Sequence, residues 1–508
     1  MARWCHPTLA AEDRPGFARP NNQNETMPNP KNLLFLLSDN HARGFVGAGG
    51  NPLCRTPHLD ALAARGTLYE NAYAASPLCC PSRAALATGR YPHQSGYWDN
   101  AIPFDGTTSS WMGRLRDAGH RTASIGKLHF RDSRPENGFC EEHHAMHILN
   151  GRGGVHMLLR AVDREPVNRG QWPLYMARSG VGTAPYQGFD HKVTAEAERW
   201  LAEEAPNEKT PWALFVSYPS AHPPFSVPEP FYQAADELAV TLPKDWNDPE
   251  AASHPAIRHL KSIMNIGPIA DEAALRRVLA GYLALCAHLD TEIGKVLTAL
   301  ERNGLAGDTR IIYTSDHGEM GGAHGLFGKF NLYEESIGVP LIVAGPDVPA
   351  GRRVAAPVSH VDLAPTIEAA LGVAPHPDDA DRPGISLWDD AAIAARDTAF
   401  AEYHAAGSRT GSFMLRERRW KLVYHVGMPA QLFDLETDPF ERHDLGPDHP
   451  EAARLERRLR EICDPEAVDA RAKADQRGWL ERYGGPDAVA AEPLLIYTPP
   501  PGNAAEME

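Results

Sequence analysis

The stretch Asn32-Leu-Leu-Phe-Leu-Leu-Ser38 offers no polar face to water in any strand it could form, and this constrains the fold more than any other segment. A half-exposed strand alternates apolar and polar residues. A continuously apolar one must be covered above and below, as in a parallel sheet flanked by helices. Segments of similar length and character recur at Arg121–Gly126, Trp212–Tyr218, Arg310–Ser315 and Val339–Ala344. Between them, Leu275, Val278, Leu279, Tyr282, Cys286, Leu289, Ile293, Val296 and Leu300 repeat at three- and four-residue spacing. That spacing predicts one long helix from Asp271 to about Asn303, with the stripe facing the core. A shorter helix is predicted after Thr56-Pro57, with Thr56 as N-cap and Gly66 past its end. Strands and helices in alternation predict an α/β fold on a doubly wound, mostly parallel sheet.

Beyond the Asp- and Pro-rich stretch 375–383 the pattern changes. Trp420–His425 and Gln431–Asp434 read as short antiparallel strands of a smaller α+β domain. The predicted organisation is an N-terminal tail over 1–28, a main domain over 29–385 and a C-terminal domain over 386–508 that ends in a second tail. Both tails are candidate subunit contacts of a homo-oligomer.

Asp and Glu number 66 against 50 Lys and Arg, a net charge of −16. Nothing supplies the basic footprint that a nucleic-acid partner needs. An anionic substrate is repelled by the molecule as a whole, so a site for one must concentrate its own positive charge. No run of about 18 apolar residues occurs, so no membrane-spanning helix is expected, and the N-terminus carries no apolar secretory segment. The seven cysteines (5, 54, 79, 80, 140, 286 and 463) are scattered and odd in number. That pattern fits a reducing cytoplasm and predicts no disulfide framework.

Residues 79–90 read Cys-Cys-Pro-Ser-Arg-Ala-Ala-Leu-Ala-Thr-Gly-Arg. Pro81 suits the first turn of a helix running towards Thr88. That places residue 79 beside a helix N-terminus, where free N–H groups favour an anion. The segment resembles the signature of the type I, formylglycine-dependent sulfatases of the alkaline phosphatase superfamily, C-x-P-S-R-x-x-L-x-T-G-R, at every fixed position. In that family the cysteine is oxidised to formylglycine, whose aldehyde hydrates to a geminal diol. Cys79 has Pro two residues on and Arg four residues on, whereas Cys80 does not, so Cys79 is the predicted precursor. The resemblance, to arylsulfatases and choline sulfatases, runs from the Asn32 segment to Leu432-Phe-Asp-Leu435 and includes Val358-Ser-His-Val-Asp-Leu363. It implies an alkaline-phosphatase-like fold with 29–385 as catalytic domain and a partner system that installs formylglycine. The implied reaction is hydrolysis of an aryl or alkyl sulfate monoester.

Asp39-Asn40 ends one predicted strand and Asp316-His317 another, and open α/β sheets gather ligands at the carboxyl ends of their strands. The resemblance implies that Asp39, Asn40, Asp316 and His317, with residue 79, hold one divalent metal. Oxygen ligands suit Ca²⁺, the first choice, while the imidazole admits Mn²⁺. Many family members have a second Asp where Asn40 stands, and Asn or Gln where His317 stands. The resemblance further implies that Lys127 binds sulfate and that His129 takes a proton from the second diol hydroxyl. By the same resemblance His222 touches the ester oxygen, Lys329 meets sulfate and leaving group, and Arg83 points back to the modified residue and the sulfate. His222 or Lys329 would then protonate the leaving alcohol. Asn100 is a further substrate-binding candidate. Arg83, Lys127, Lys329 and the metal together supply the local positive charge that the net −16 demands. The alternative is a phosphonate monoester hydrolase or phosphodiesterase of the same superfamily. Asn100 and the Asp316-His317 pair allow it, but those enzymes carry smaller or phenolic residues where Lys127 and His129 stand.

Overall fold

In the computed structural model the described residues are 2–3 and 29–505, save 166, 168–170, 236, 249, 252, 267–270 and 496. Among them the apolar segments form one large sheet of nine strands. These are β1 (Ala2–Arg3), β2 (Asn32–Ser38), β3 (Gly66–Tyr69), β4 (Thr122–Lys127), β5 (Glu141–Met146), β6 (Ala213–Ser217), β7 (Thr309–Ser315), β8 (Leu341–Ala344) and β9 (Arg352–Val354). Their order is β1-β5-β4-β6-β2-β7-β8-β3-β9. The five strands β5-β4-β6-β2-β7 are mutually parallel, so Ser38, Lys127, Ser217 and Ser315 end on one edge. The strand β8 reverses this, running antiparallel to β7 and β3. Every residue of β2 is buried, as its lack of a polar face requires.

The helices that matter for the site are α1 (Pro57–Ala64), α2 (Cys79–Thr88), α3 (Pro185–Glu203) and α4 (Glu272–Arg302). Asp271 caps α4 by accepting from Ala274 N at 2.6 Å, and the whole predicted stripe is buried. Thr56 precedes α1 as expected, yet its hydroxyl does not cap the helix: it donates to Asp60 and accepts from Gly47 N. The first amides of α1, on His58 and Leu59, donate instead to the buried Asp290 carboxylate of α4, at 3.1 and 2.8 Å. Gly66 lies past the helix end as expected, beyond the C-cap Arg65, and also opens β3, where a Cβ would meet Val343 O at 2.3 Å. Asp290→Ala should therefore orphan two helix-terminal amides and cost about 1–3 kcal/mol. A lowered urea midpoint at unchanged slope would show it, and an unmoved midpoint would remove Asp290 as the cap.

A second, antiparallel sheet follows: β10 (Thr398–Tyr403), β11 (Ser412–Glu417), β12 (Trp420–His425) and β13 (Gln431–Asp434). Buried Lys421 of β12 ties it to the main body through Glu334 at 2.9 Å, and Glu441, 2.8 Å from the same ammonium, accepts from Glu334 N as well. The stretch 375–383 also binds inward: Asp379 pairs with Arg90, the last residue of the signature, and with Arg114.

Two expectations change. Cys140 is disulfide-bonded, while Cys54, Cys79, Cys80, Cys286 and Cys463 are free. Spacing along a chain does not say which thiols a sheet edge brings together, and the cysteine pattern no longer argues for a reducing compartment. The tail expected over 1–28 lies outside the described residues except for Ala2–Arg3, which pair antiparallel with Glu142 and Glu141. No helix among the described residues is long and apolar enough to cross a membrane.

Candidate active site

The carboxyl ends of β2, β4, β6 and β7 surround the N-terminus of α2. Leu78 precedes that helix in extended conformation, and all ten helix residues are buried. Gly89 terminates it in the left-handed region, at φ 68°, with its N–H bonded to Ala85 O. Cys79, only 2% exposed, places Sγ 3.1 Å from His317 Nε2. One ligand atom each from Asp39, Cys79, Asp316 and His317 lies within 4.8 Å of the others. Asn40 adjoins them at φ 63°: its N–H donates to Asp316 Oδ1 (3.1 Å), and its Oδ1 accepts from Lys329 Nζ (3.3 Å).

This group has the character of a cation cage. Asp39 Oδ1 is buried without a hydrogen-bond partner among the described residues. His317 donates Nδ1–H to Gly318 O at 3.0 Å, which leaves the Nε2 lone pair facing Cys79 and the carboxylates; metal-binding histidines are oriented in this way. Burial and the adjacent Asp39 charge push Asp316 up to about 7, the response of two buried carboxylates short of positive charge. Burial also acts to raise Asp39, but Lys127, His222 and Lys329 outweigh it and hold that carboxyl well below its usual range. Two carboxylates, an amide oxygen and an imidazole fit a divalent cation.

The other expected residues gather here, with one change of role. Lys127 Nζ lies 2.7 Å from Asp39 Oδ2. Arg83 was expected to reach the sulfate. Its Nε instead donates to Asp316 Oδ2 (2.8 Å), its Nη2 to Asp39 Oδ2 (3.2 Å), and its Nη1 to Lys127 O and Ser217 Oγ. One turn into α2, the guanidinium is thus engaged by both Asp39 and Asp316. Asn100 lines the cavity and accepts from Cys80 N at 3.0 Å, capping α2. Cys80 turns away and donates its thiol to His129 O at 3.4 Å.

His129, His222, Lys127 and Lys329 line one cavity with Cys79. Burial first, and then Lys127 and Arg83, hold His129 well below the usual histidine value, and both its ring nitrogens lack a protein partner. Burial and Lys329 do the same to His222, whose Nδ1–H donates to Pro223 O at 2.8 Å. Burial opposes the charge of Lys329, yet Cys79, Asp39 and Asp316 outweigh it and keep the ammonium.

Three features escaped the sequence. Buried Glu319 accepts from Asn40 Nδ2 (2.8 Å) and from the amides of Gly321 and Gly328, so it orients both Asn40 and the Lys329 loop. Its place two residues after His317 was a visible signal. Tyr282 of α4 donates to Asn40 O at 2.7 Å, although its spacing marked it only as core. Leu494, Leu495, Tyr497 and Thr498, expected in a C-terminal tail, form part of the cavity wall. Tyr186 of α3 holds them there by donating to Thr498 O at 2.8 Å and packing against Tyr497.

The chain matches the family model described as Sulfatase over residues 31–373, and one described as N-sulphoglucosamine sulphohydrolase, C-terminal, over 322–466. It is 29% identical to Arylsulfatase K of Bos taurus over 475 residues, 88% of this chain and 84% of that one. It is 30% identical to the choline-sulfatase of Rhizobium meliloti (strain 1021), over 88% of this chain and 90% of that one. The structure of the phosphonate monoester hydrolase of Agrobacterium radiobacter superposes with a TM-score of 0.66 at 25% identity, covering 87% of this chain and 96% of that one. The family model spans most of the catalytic body, including the α2 signature and every residue of the cavity's charged floor. This chain therefore belongs to the sulfatase family of sulfuric ester hydrolases.

Proposed function

We propose that the protein hydrolyses aryl or alkyl sulfate monoesters with residue 79 converted from cysteine to formylglycine and a divalent cation, Ca²⁺ first, held by Asp39, Asn40, Asp316 and His317. The observation that carries this reading is Cys79 at the N-terminus of α2, facing the cavity, with His317 Nε2 3.1 Å away. As encoded, the thiol is a poor nucleophile: burial, and then Asp39, push it up to about 12, so almost no thiolate forms at neutral pH. When in place, the diol supplies a nucleophilic hydroxyl and a second one through which the site is regenerated, and the cation supplies Lewis acidity.

The protein's own residues do the rest. Lys127 and Lys329 concentrate positive charge where sulfate oxygens must lie, against the net charge of −16. Arg83 keeps Asp39 and Asp316 aimed at the cation. Lys329 remains an ammonium and is the proton donor to the leaving oxygen. His222 serves that step poorly, because its one proton is engaged on Nδ1 by Pro223 O and Nε2 is left as an acceptor. His129 is neutral with free ring nitrogens, and incoming sulfate charge strengthens it as a base, so it accepts the proton that frees sulfate. The cavity is also lined by Ile148, Met157, Ile263, Met264 and Leu494, with Glu165, His156 and Gln171 beside them, which supports an organic group with an apolar part.

Relative rates on phenyl sulfate and a phenyl phosphonate ester test the substrate class. Sulfate should be preferred, because Lys127 and His129 stand where phosphonate hydrolases carry smaller or phenolic groups, and a phosphonate preference would reverse the assignment. His129→Ala should release one burst of alcohol per active site, then turn over about 10²–10⁴-fold more slowly. Absence of a burst would leave His129 in sulfate binding alone.

A further inference from the structure

Away from the cavity, α3 and α4 bring together His191, His288 and Glu292. His288 and Glu292 stand one turn apart on α4 and so share a face. His191 meets them from α3, with Nδ1 3.0 Å from Glu292 Oε1. One ligand atom from each residue lies within 4.8 Å of the others. His288 is 2% exposed, and neither ring nitrogen has a hydrogen-bond partner among the described residues. Glu292 is equally buried, whereas the His191 side chain is 57% exposed, so the group opens to solvent on one side.

We propose that His191, His288 and Glu292 form a second metal site, for a zinc-class ion whose remaining position is open to solvent. Two imidazoles and a carboxylate are a donor set that Zn²⁺ takes, whereas Ca²⁺ prefers an all-oxygen shell. The competing account is packing alone. The His288 ring lies edge-on to His191 (5.4 Å) and Phe231 (5.3 Å), and Lys295 pairs with Glu292 Oε1 at 2.6 Å. That engages Oε1 of the carboxylate but leaves Glu292 Oε2 and both imidazole nitrogens of His288 without a hydrogen-bond partner among the described residues. A buried polar group without a partner costs about 1–3 kcal/mol, which Phe or Leu at 288 would avoid. Lys295 is half-exposed on a flexible stem and can swing aside for an ion. None of the three ligands lines the catalytic cavity. The ion would pin α3 to α4, stabilising the scaffold without entering the reaction.

Zn²⁺ titrated into untagged, Ca²⁺-saturated protein against a chromophoric chelator tests the assignment. The parent should take up one equivalent of Zn²⁺, with a rise in thermal midpoint. His191→Ala, at an exposed position, and Glu292→Gln should each weaken uptake by more than the roughly 10–100-fold typical of losing an outer-shell partner, with sulfate-ester hydrolysis retained. His288→Phe keeps the ring packing against Phe231 and should fold yet lose the ion. Uptake that survives His191→Ala but disappears with Asp316→Asn would place the zinc in the catalytic cage and overturn the proposal, as would a parent that takes up none.

Discussion

Protein carrying Cys79→Ala is expected to show no turnover above background, a loss on the order of 10⁴-fold or more, while Cys80→Ala keeps most of its activity. The two thiols are neighbours in sequence and both are buried, but α2 sends them in different directions. Cys79 faces His317 Nε2 and the cavity, whereas Cys80 donates to His129 O beneath it. Alanine at 79 keeps the β-carbon but deletes the sulfur through which that carbon is oxidised, so no aldehyde, and hence no diol, can be made from it. Alanine at 80 deletes one weak S–H bond. The intact mass of the peptide containing residue 79 adds an independent check, since oxidation of a thiol to an aldehyde lightens it. A dead Cys80→Ala beside an active Cys79→Ala would show that the nucleophile had been placed one residue out of register.

The second large effect concerns the cage. Asp39→Ala and Asp316→Ala should each remove stoichiometric metal and at least about 10³-fold of activity, in the range lost with a main electrostatic element of a site. Their side effects should differ. Asp39 neutralises Lys127 and one arm of Arg83, so its loss leaves buried cations unpaired and destabilises the fold by about 3–5 kcal/mol. Asp316→Asn keeps the shape beside Arg83 Nε and Asn40 N–H, and should lose metal with less damage. Proton linkage adds a pH signature. Metal binding requires the Asp316 carboxylate, and that group sits up at about 7 when no cation balances it. Below pH 7 a proton must leave for each ion bound, so apparent affinity should fall roughly tenfold per pH unit. Elemental analysis across pH 5–8 reads this directly. A flat profile would mean that Asp316 is not a ligand.

Much of this arrangement was legible in the residues because buried strands and helix stripes leave periodic traces. Helix α4 has the predicted bounds within a residue at each end, and β12 and β13 have the predicted ones outright. Asp39-Asn40 and Asp316-His317 could be singled out as candidates because they end predicted strands, where open α/β sheets place chemistry, and because the family resemblance implies a role for them. What the residues do not encode is direction and distance. Leu341–Ala344 is as apolar as its parallel neighbours, yet runs the other way, since pleated burial is the same in both senses. The cap of α1 lies 231 residues away on Asp290, out of reach of a local capping rule. Arg83 has the right spacing to face a sulfate, and only the position of two carboxylates beside it shows that its guanidinium is already engaged.

The burial of Cys79 also fixes an order of events during synthesis. At 2% exposure, on the floor of a cavity, this side chain is out of reach of any oxidising protein once the surrounding strands have closed. The conversion proposed above would therefore belong to the period when the segment is still unfolded. The last wall of the cavity, at Leu494 and Leu495, is made 415 residues later, roughly 20–80 s at common rates of translation. That interval is the time a modifying enzyme has while the nascent chain lacks the piece that completes its pocket. A protein produced too fast, or with too little of that enzyme, would fold around an unreactive thiol that no later treatment could reach without unfolding it.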